Sequence, residues 1–147
     1  MTSQLNVDTI VDKAGSGGTN VKIGNTSTYV SDSGAVTQNT VQGLAKFWHQ
    51  TNASSGTPST QDSINLGSIT DNGVGNFTFA FTNNMNNNDY SFTHYAITDG
   101  QYSLYHGASL SVGTSSLQYR DNKTGNLSSA DAIDHSHIND TIHGDLA

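Results

Sequence analysis

The sequence predicts an all-β protein: an antiparallel β-sandwich or jelly-roll-like domain preceded by an extended N-terminal segment. Three observations carry this. Ser, Thr, Asn and Gly make up nearly half of the 147 residues, and all 12 acidic residues are Asp, a composition that favours turns and half-exposed strands over helices. Phe77, Phe79 and Phe81 recur at spacing two with Thr78, Ala80 and Thr82 interleaved, so one face of that segment is apolar. Asp71-Asn72-Gly73-Val74-Gly75, just before it, is a turn signal, because Asn and Gly tolerate positive φ.

Along the chain, Leu5, Val7, Thr9 and Val11 share one face of an expected strand over residues 3–12. Ala14 to Gly18 reads as a turn, and Val21 with Ile23, then Tyr29 with Val30, as short extended pieces. Residues 13–43 hold almost no large apolar groups and could not bury enough surface to fold alone. Residues 1–40 are therefore expected to be an attachment segment that orders on copies of itself or on another protein, and 41–147 the sandwich.

Within the second part, Leu44 to Gln50 reads as a strand, Thr51 to Gln61 as a loop around Pro58, and Asp62 to Ile69 as one further strand. After the Phe strand, Asn83 to Asp89 is a polar connection plugged by Met85. Tyr90 to Ile97, Tyr102 to Val112, Ser115 to Arg120 and Ile133 to His143 read as strands, with a helical turn expected near Ser128 to Ala132. Six or seven short strands with turns between them and no internal repeat point to a sandwich rather than a solenoid or propeller. Its core is expected to include Trp48, Phe77, Phe79, Phe81 and Phe92. Hydrophobic residues at 33% and charged residues at 12% are low, but aromatics still reach 8%, which argues against disorder.

Charge and composition narrow the partners. The net charge is −7, and the five basic residues are scattered as Lys13, Lys22, Lys46, Arg120 and Lys123, so nucleic acid, which needs clustered cations, is not an expected partner. There is no cysteine. No apolar run is long enough for membrane insertion. Met1 to Leu5 lacks the basic start of a secretory signal, and a chain that looks extracellular without its own signal suits a particle assembled in a host cytoplasm.

The order Gly43-Leu44-Ala45-Lys46-Phe47-Trp48, then Asp62-Ser63-Ile64-Asn65, then Ser68-Ile69-Thr70-Asp71-Asn72-Gly73-Val74-Gly75-Asn76-Phe77-Thr78-Phe79-Ala80-Phe81 resembles a domain of tail fibre proteins from marine and other tailed bacteriophages. The family's Met-Pro-x-x-x-Tyr connection is similar to Met85 through Tyr90, with Asn86 in place of proline, a departure expected to loosen the connection. Ile142-His143-Gly144-Asp145 resembles the family's closing strand, and Leu5-Asn6-Val7-Asp8-Thr9-Ile10 its opening. The match is good over residues 43–97 and weaker at both ends. It implies a virion structural protein, usually a homotrimer; the expected attachment segment would then dock on another virion protein, and with no catalytic motif in the chain no enzymatic role is expected. Tail fibre, baseplate fibre, spike and head fibre or decoration protein all stay open, as does a small trimeric glycan-binding lectin.

Candidate sites are few. His135-Ser136-His137 would place two imidazoles on one face of a strand, and three such pairs on a trimer axis could hold a transition metal; the alternative is two surface histidines in an Asp-rich strand. Beyond that possible axial metal no cofactor is expected. His49, His94, His106 and His143 are too scattered to form a linear motif and read as half-buried strand residues. Tyr102 and Tyr105, beside Gly100 and Gly107, are candidate host-contact residues for a surface glycan, with packing in the core or a trimer interface as the alternative. Asp12, Asp32, Asp62, Asp71, Asp89, Asp99 and Asp121 read as turn caps. No calcium loop, nucleophile elbow, phosphate loop or His-Glu-x-x-His occurs, and no carboxylate pair is placed for glycoside hydrolysis.

Overall fold

A computed structural model describes residues 28–30, 37–98, 101–103, 109–121 and 132–147. The expected strand at 3–12, the turn at 14–18, the extended piece at 21–23, and Ser128 to Asp131 of the expected helical turn lie outside them. The chain divides into two compact units, Met1–Val41 and Gln42–Ala147. In the first, β1 (Thr28–Val30) pairs antiparallel with β2 (Thr37–Asn39), with Tyr29 opposite Gln38. A single helical turn, α1 (Thr40–Gly43), follows β2.

Past α1, the strands described in the second unit all pair antiparallel. Its strands are β3 (Ala45–Asn52), β4 (Ser59–Ile64), β5 (Leu66–Asp71), β6 (Asn76–Phe81), β7 (Ser91–Thr98), β8 (Gln101–Ser103), β9 (Ser109–Val112), β10 (Ser116–Arg120) and β11 (His137–His143). They form a five-stranded sheet in the order β4-β3-β11-β7-β8 and a four-stranded sheet in the order β5-β6-β10-β9. The inner faces share one core. Phe47 and Ile142 from the first sheet meet Phe81, Phe79 and Leu117 from the second, and the Phe47 and Phe81 rings lie edge to face at 5.0 Å, a favoured aromatic geometry.

Two expected strands are each divided between the sheets. The segment from Asp62 to Ile69 breaks at Asn65, whose φ is 62°, an angle that Asn tolerates better than most residues. The chain turns there from β4 in one sheet to β5 in the other. The Asn65 side chain stands in for a strand partner: its Oδ1 accepts from Asn83 N–H at 2.7 Å and its Nδ2 donates to Asn83 O at 2.9 Å, while its backbone O accepts from Thr82 N–H at 2.9 Å. The segment from Tyr102 to Val112 likewise becomes β8 in the five-stranded sheet and β9 in the four-stranded one. The alternation in the sequence does not reveal the Asn65 corner: Ile64 and Leu66 share parity, yet Ile64 faces outward opposite Trp48 and Leu66 packs against the core.

Phe77, Phe79 and Phe81 are buried as expected, and Phe92 packs partly buried against them. Trp48 departs from expectation. It alternates with the buried Phe47 and His49, so it falls on the outer face of the five-stranded sheet and is half-buried there, outside the core. Met85 is the expected plug, 1% exposed. Its connection is firmer than the loss of a proline suggested. Asn86 has an N–H that proline lacks, and it donates to Asp145 O at 2.8 Å. Ala147 N–H donates to Asn84 O at 2.9 Å, and Met85 bridges to Leu146, so the C-terminal residues are pinned to this connection.

The turn glycine Gly75 closes the fold at the other end. Its φ is +65°, and a Cβ added there would lie 2.6 Å from Asp121 O and 2.8 Å from Ile133 O. Its O accepts from Asp121 N–H at 2.7 Å, and its N–H donates to Asp134 Oδ1 at 2.7 Å. Gly56 has a similar φ of +75° with no atom near its missing Cβ. Gly75→Ala combines left-handed strain with backbone overlap and should cost on the order of 3 kcal/mol or more. Gly56→Ala carries the strain alone, about 1 kcal/mol. Urea midpoints of the two variants check this; equal losses would contradict the clamp at Gly75.

Candidate functional site

The centre of the shared core is polar. On the inner face of the five-stranded sheet, Asp140 of β11 is in register with His49 of β3 on one side and His94 of β7 on the other. The alternation that buries Ile138 and Ile142 buries Asp140 between them. His49 Nε2 lies 2.7 Å from Asp140 Oδ2, and His94 Nδ1 lies 2.7 Å from Asp140 Oδ1. Three strands are thus tied across their width by a His–Asp–His row.

The row reaches the opposite sheet through β10. Tyr119 donates its hydroxyl to Asp140 Oδ2 at 2.8 Å, and His94 Nε2 lies 2.8 Å from Oδ1 of Asp121, just past the end of β10. Phe79 stacks on His49 at 4.2 Å and on Tyr119 at 5.2 Å. The outer nitrogen of His49, Nδ1, meets Thr51 Oγ1 at 2.9 Å. The side chains of His49, Asp140 and Asp121 are 0% exposed and that of His94 is 3% exposed.

The geometry fixes the charge of His94. Both ring nitrogens face a carboxylate oxygen, so both donate, which only the imidazolium can do. Burial alone would push His94 down, but the hydrogen bonds and charges of Asp121 and Asp140 raise it to about 10. Burial works against the charged form of Asp140 too, and the bonds from His49 and His94 more than offset it, bringing Asp140 down to about 2. Tyr119 is pushed well above its ordinary value, by burial first and then by the Asp140 and Asp121 charges. Asp121 Oδ2 is buried without a hydrogen bond among the described residues.

His135 lies beside this cluster, 1% exposed. Burial holds it below its ordinary value against the pull of Asp121, and the His94 charge adds to the depression. His137, two residues on, is exposed. The expected His135–His137 pair on one outward face is therefore not what the chain presents: His135 is buried before β11 begins, and His137 alone of the two is exposed. Among the described residues, no group of three or more His, Cys, Asp or Glu side chains is placed to hold a metal ion. Asp121, read as a turn cap, is a core acceptor instead. Asp71 does cap its turn, accepting from Gly73 N–H at 2.8 Å. Tyr102 sits on β8 opposite Ile97, and Tyr105, His106, Asp12, Asp32 and Asp99 lie outside the described residues.

No protein-family model, curated protein or solved structure matches this chain.

The buried row sets the pH dependence of stability. His94 is raised on folding, so its contribution is complete below the unfolded value near 6.5 and fades as pH climbs towards about 10. Asp140 is lowered, so its contribution is complete above 3.8 and fades as pH falls towards about 2. Between about pH 4 and 6.5 the row's own contribution is flat, while the depressed His135 takes stability away as pH falls below 6.5, so urea midpoints should peak near pH 6.5 and decline on both sides. Asp140→Ala strands His94 and Tyr119 without their acceptor and should cost about 3–5 kcal/mol. A flat profile from pH 6.5 to 10 would contradict the charged His94.

Proposed function

We propose that this chain is a structural protein of a tailed-bacteriophage particle, a homotrimeric tail or baseplate fibre or spike subunit that presents a host-contact surface and has no catalytic role. The observation that carries the reading is that the residues of the fibre-like pattern are those on which the second unit's architecture turns. Asn65 makes the corner between sheets, Gly73 and Gly75 make the β5–β6 hairpin, and Met85, Tyr90 and Gly144 close the far end. Gly144 is held to glycine because a Cβ would lie 2.7 Å from Tyr90 Cβ, while Tyr90 donates its hydroxyl to Gly113 O at 3.0 Å. A pattern so tied to fold geometry supports a shared architecture across its span.

The non-catalytic part of the reading rests on burial. The His–Asp cluster has the residue types of an acid–base site, yet its side chains are 0–3% exposed, and an acid or base must come within hydrogen-bond reach of its substrate. The cluster suits a structural brace. In this reading the subunit is made in the host cytoplasm and ends in the virion, residues 1–40 dock on another virion protein, and Tyr102 and Tyr105 belong to the host-facing surface. Three weak identical contacts presented together gain avidity. The reading calls for no cofactor, nucleic acid or membrane insertion.

Light scattering on the purified full chain, read against the subunit mass of 15.5 kDa, should return three times that value. Antiserum against the chain should label tail or baseplate projections and block adsorption. A monomer contradicts the trimer. Labelling of the capsid surface with adsorption intact would replace the fibre with a head fibre or decoration protein, and glycan binding by an isolated trimer with no particle label would favour a lectin.

A further inference from the structure

The outer face of the five-stranded sheet holds the chain's single tryptophan. Register places Trp48 in a row with Ile64, Thr141 and Thr93, and Gln50 in the adjoining row with Asn139 and Tyr95. Trp48 and Tyr95 are half-buried, and Ile64 is 48% exposed. Leu44, just before β3, is 56% exposed. The outward positions at the centre of β3, β11 and β7 carry no Asp, Glu, Lys or Arg. Lys46, His143 and His137 stand at the ends of the face, and Asp62 lies on its edge strand, paired with Gln50. Large aromatics with a neutral centre and ionisable groups at the margin is the make-up of a protein contact surface.

The geometry points to this face, with the adjoining edge of β4, as the contact between copies of the chain. Charge selects the occupant. Each copy carries a net charge of −7, so identical subunits associate at least cost through a region poor in carboxylates, and this face has none at its centre and Asp62 alone on its edge strand. The edge adds a second reason. Among the described residues β4 pairs only with β3, and five of its six residues are exposed. Pro58 precedes the strand instead of interrupting it, and Asp62 is its one charged residue. An edge strand with so few guards is one that another chain covers. The inference rests on the trimeric reading and gives it an interface.

Ile64→Arg and Tyr95→Arg place charge on the face without touching the core, and Val74→Arg, at a residue 60% exposed in the β5–β6 turn, is the control. Trp48 stays in place as the reporter. Light scattering should show the two face variants falling to subunit mass while the control keeps the wild-type mass. Trp48 emission should shift to the red, and acrylamide quenching should rise severalfold, in the face variants alone. Near-UV circular dichroism from the buried Tyr119 should be unchanged; if an Arg variant loses it, Ile64→Thr and Tyr95→Ser carry the same test. Face variants that keep the wild-type mass with Trp48 still shielded overturn the interface and leave the trimer standing. A wild-type monomer overturns the trimer and the interface together. A glycan-array signal lost in Tyr95→Arg with the oligomer intact overturns the interface in favour of a sugar-binding face.

Discussion

The ionic row His49–Asp140–His94 is the constraint around which the sandwich is organised. A carboxylate at the centre of a core is costly to desolvate, and its bonds compensate only if every partner is in place. Here the partners come from strands far apart in sequence: β3, β7 and β11 within one sheet and β10 across the core. The pairing therefore demands a particular register. A one-residue slip of β11 would turn Asp140 outward and bring Asn139 or Thr141 against two histidines. Apolar packing alone is more forgiving of such a slip than a charge with three directed donors.

The same row explains why a chain with 33% hydrophobic residues holds two sheets together. Phe79 from the four-stranded sheet stacks on His49, and Tyr119 packs at a tilt against His94 with ring centroids 4.5 Å apart, so the imidazoles serve as packing surface while their nitrogens make hydrogen bonds. Around this centre, Phe47, Phe81, Met85 and Ile142 pack at one end and Ala53, Ala96 and Ile138 at the other. Asp121 links the cluster to the Gly75 clamp through its backbone and to His94 through its side chain. The hairpin turn and the buried charge are thereby coupled, which is a physical reason for a second glycine in that turn.

Much of the fold was legible in residue parity and turn chemistry. The Phe strand, the Asp71–Gly75 turn and the Met85 plug were set by local rules. The two sheet-changing corners were not, since alternation reads the same through Asn65. Trp48 was misassigned because size was weighed above parity: between Phe47 and His49 it had to face outward. The cluster was hidden for the opposite reason. His49, His94 and Asp140 each sit at an inward position, between Phe47 and Thr51, Phe92 and Ala96, and Ile138 and Ile142, so parity did mark them as polar groups on apolar faces. What sequence could not supply was their common register. His135 and His137 looked alike by spacing, but β11 begins only at His137, and spacing-two logic holds only inside a strand.

Nitrogen-15 NMR of the histidine rings tests the charged row most directly, because it reports how many ring nitrogens of His94 carry a proton. At pH 8, well above the ordinary histidine range and below about 10, His94 should give two protonated-nitrogen signals, each correlated with a ring proton shifted far downfield by a carboxylate. A single protonated nitrogen on His94 at that pH would contradict a cation held between Asp121 and Asp140, and with it the account of what sets the strand register.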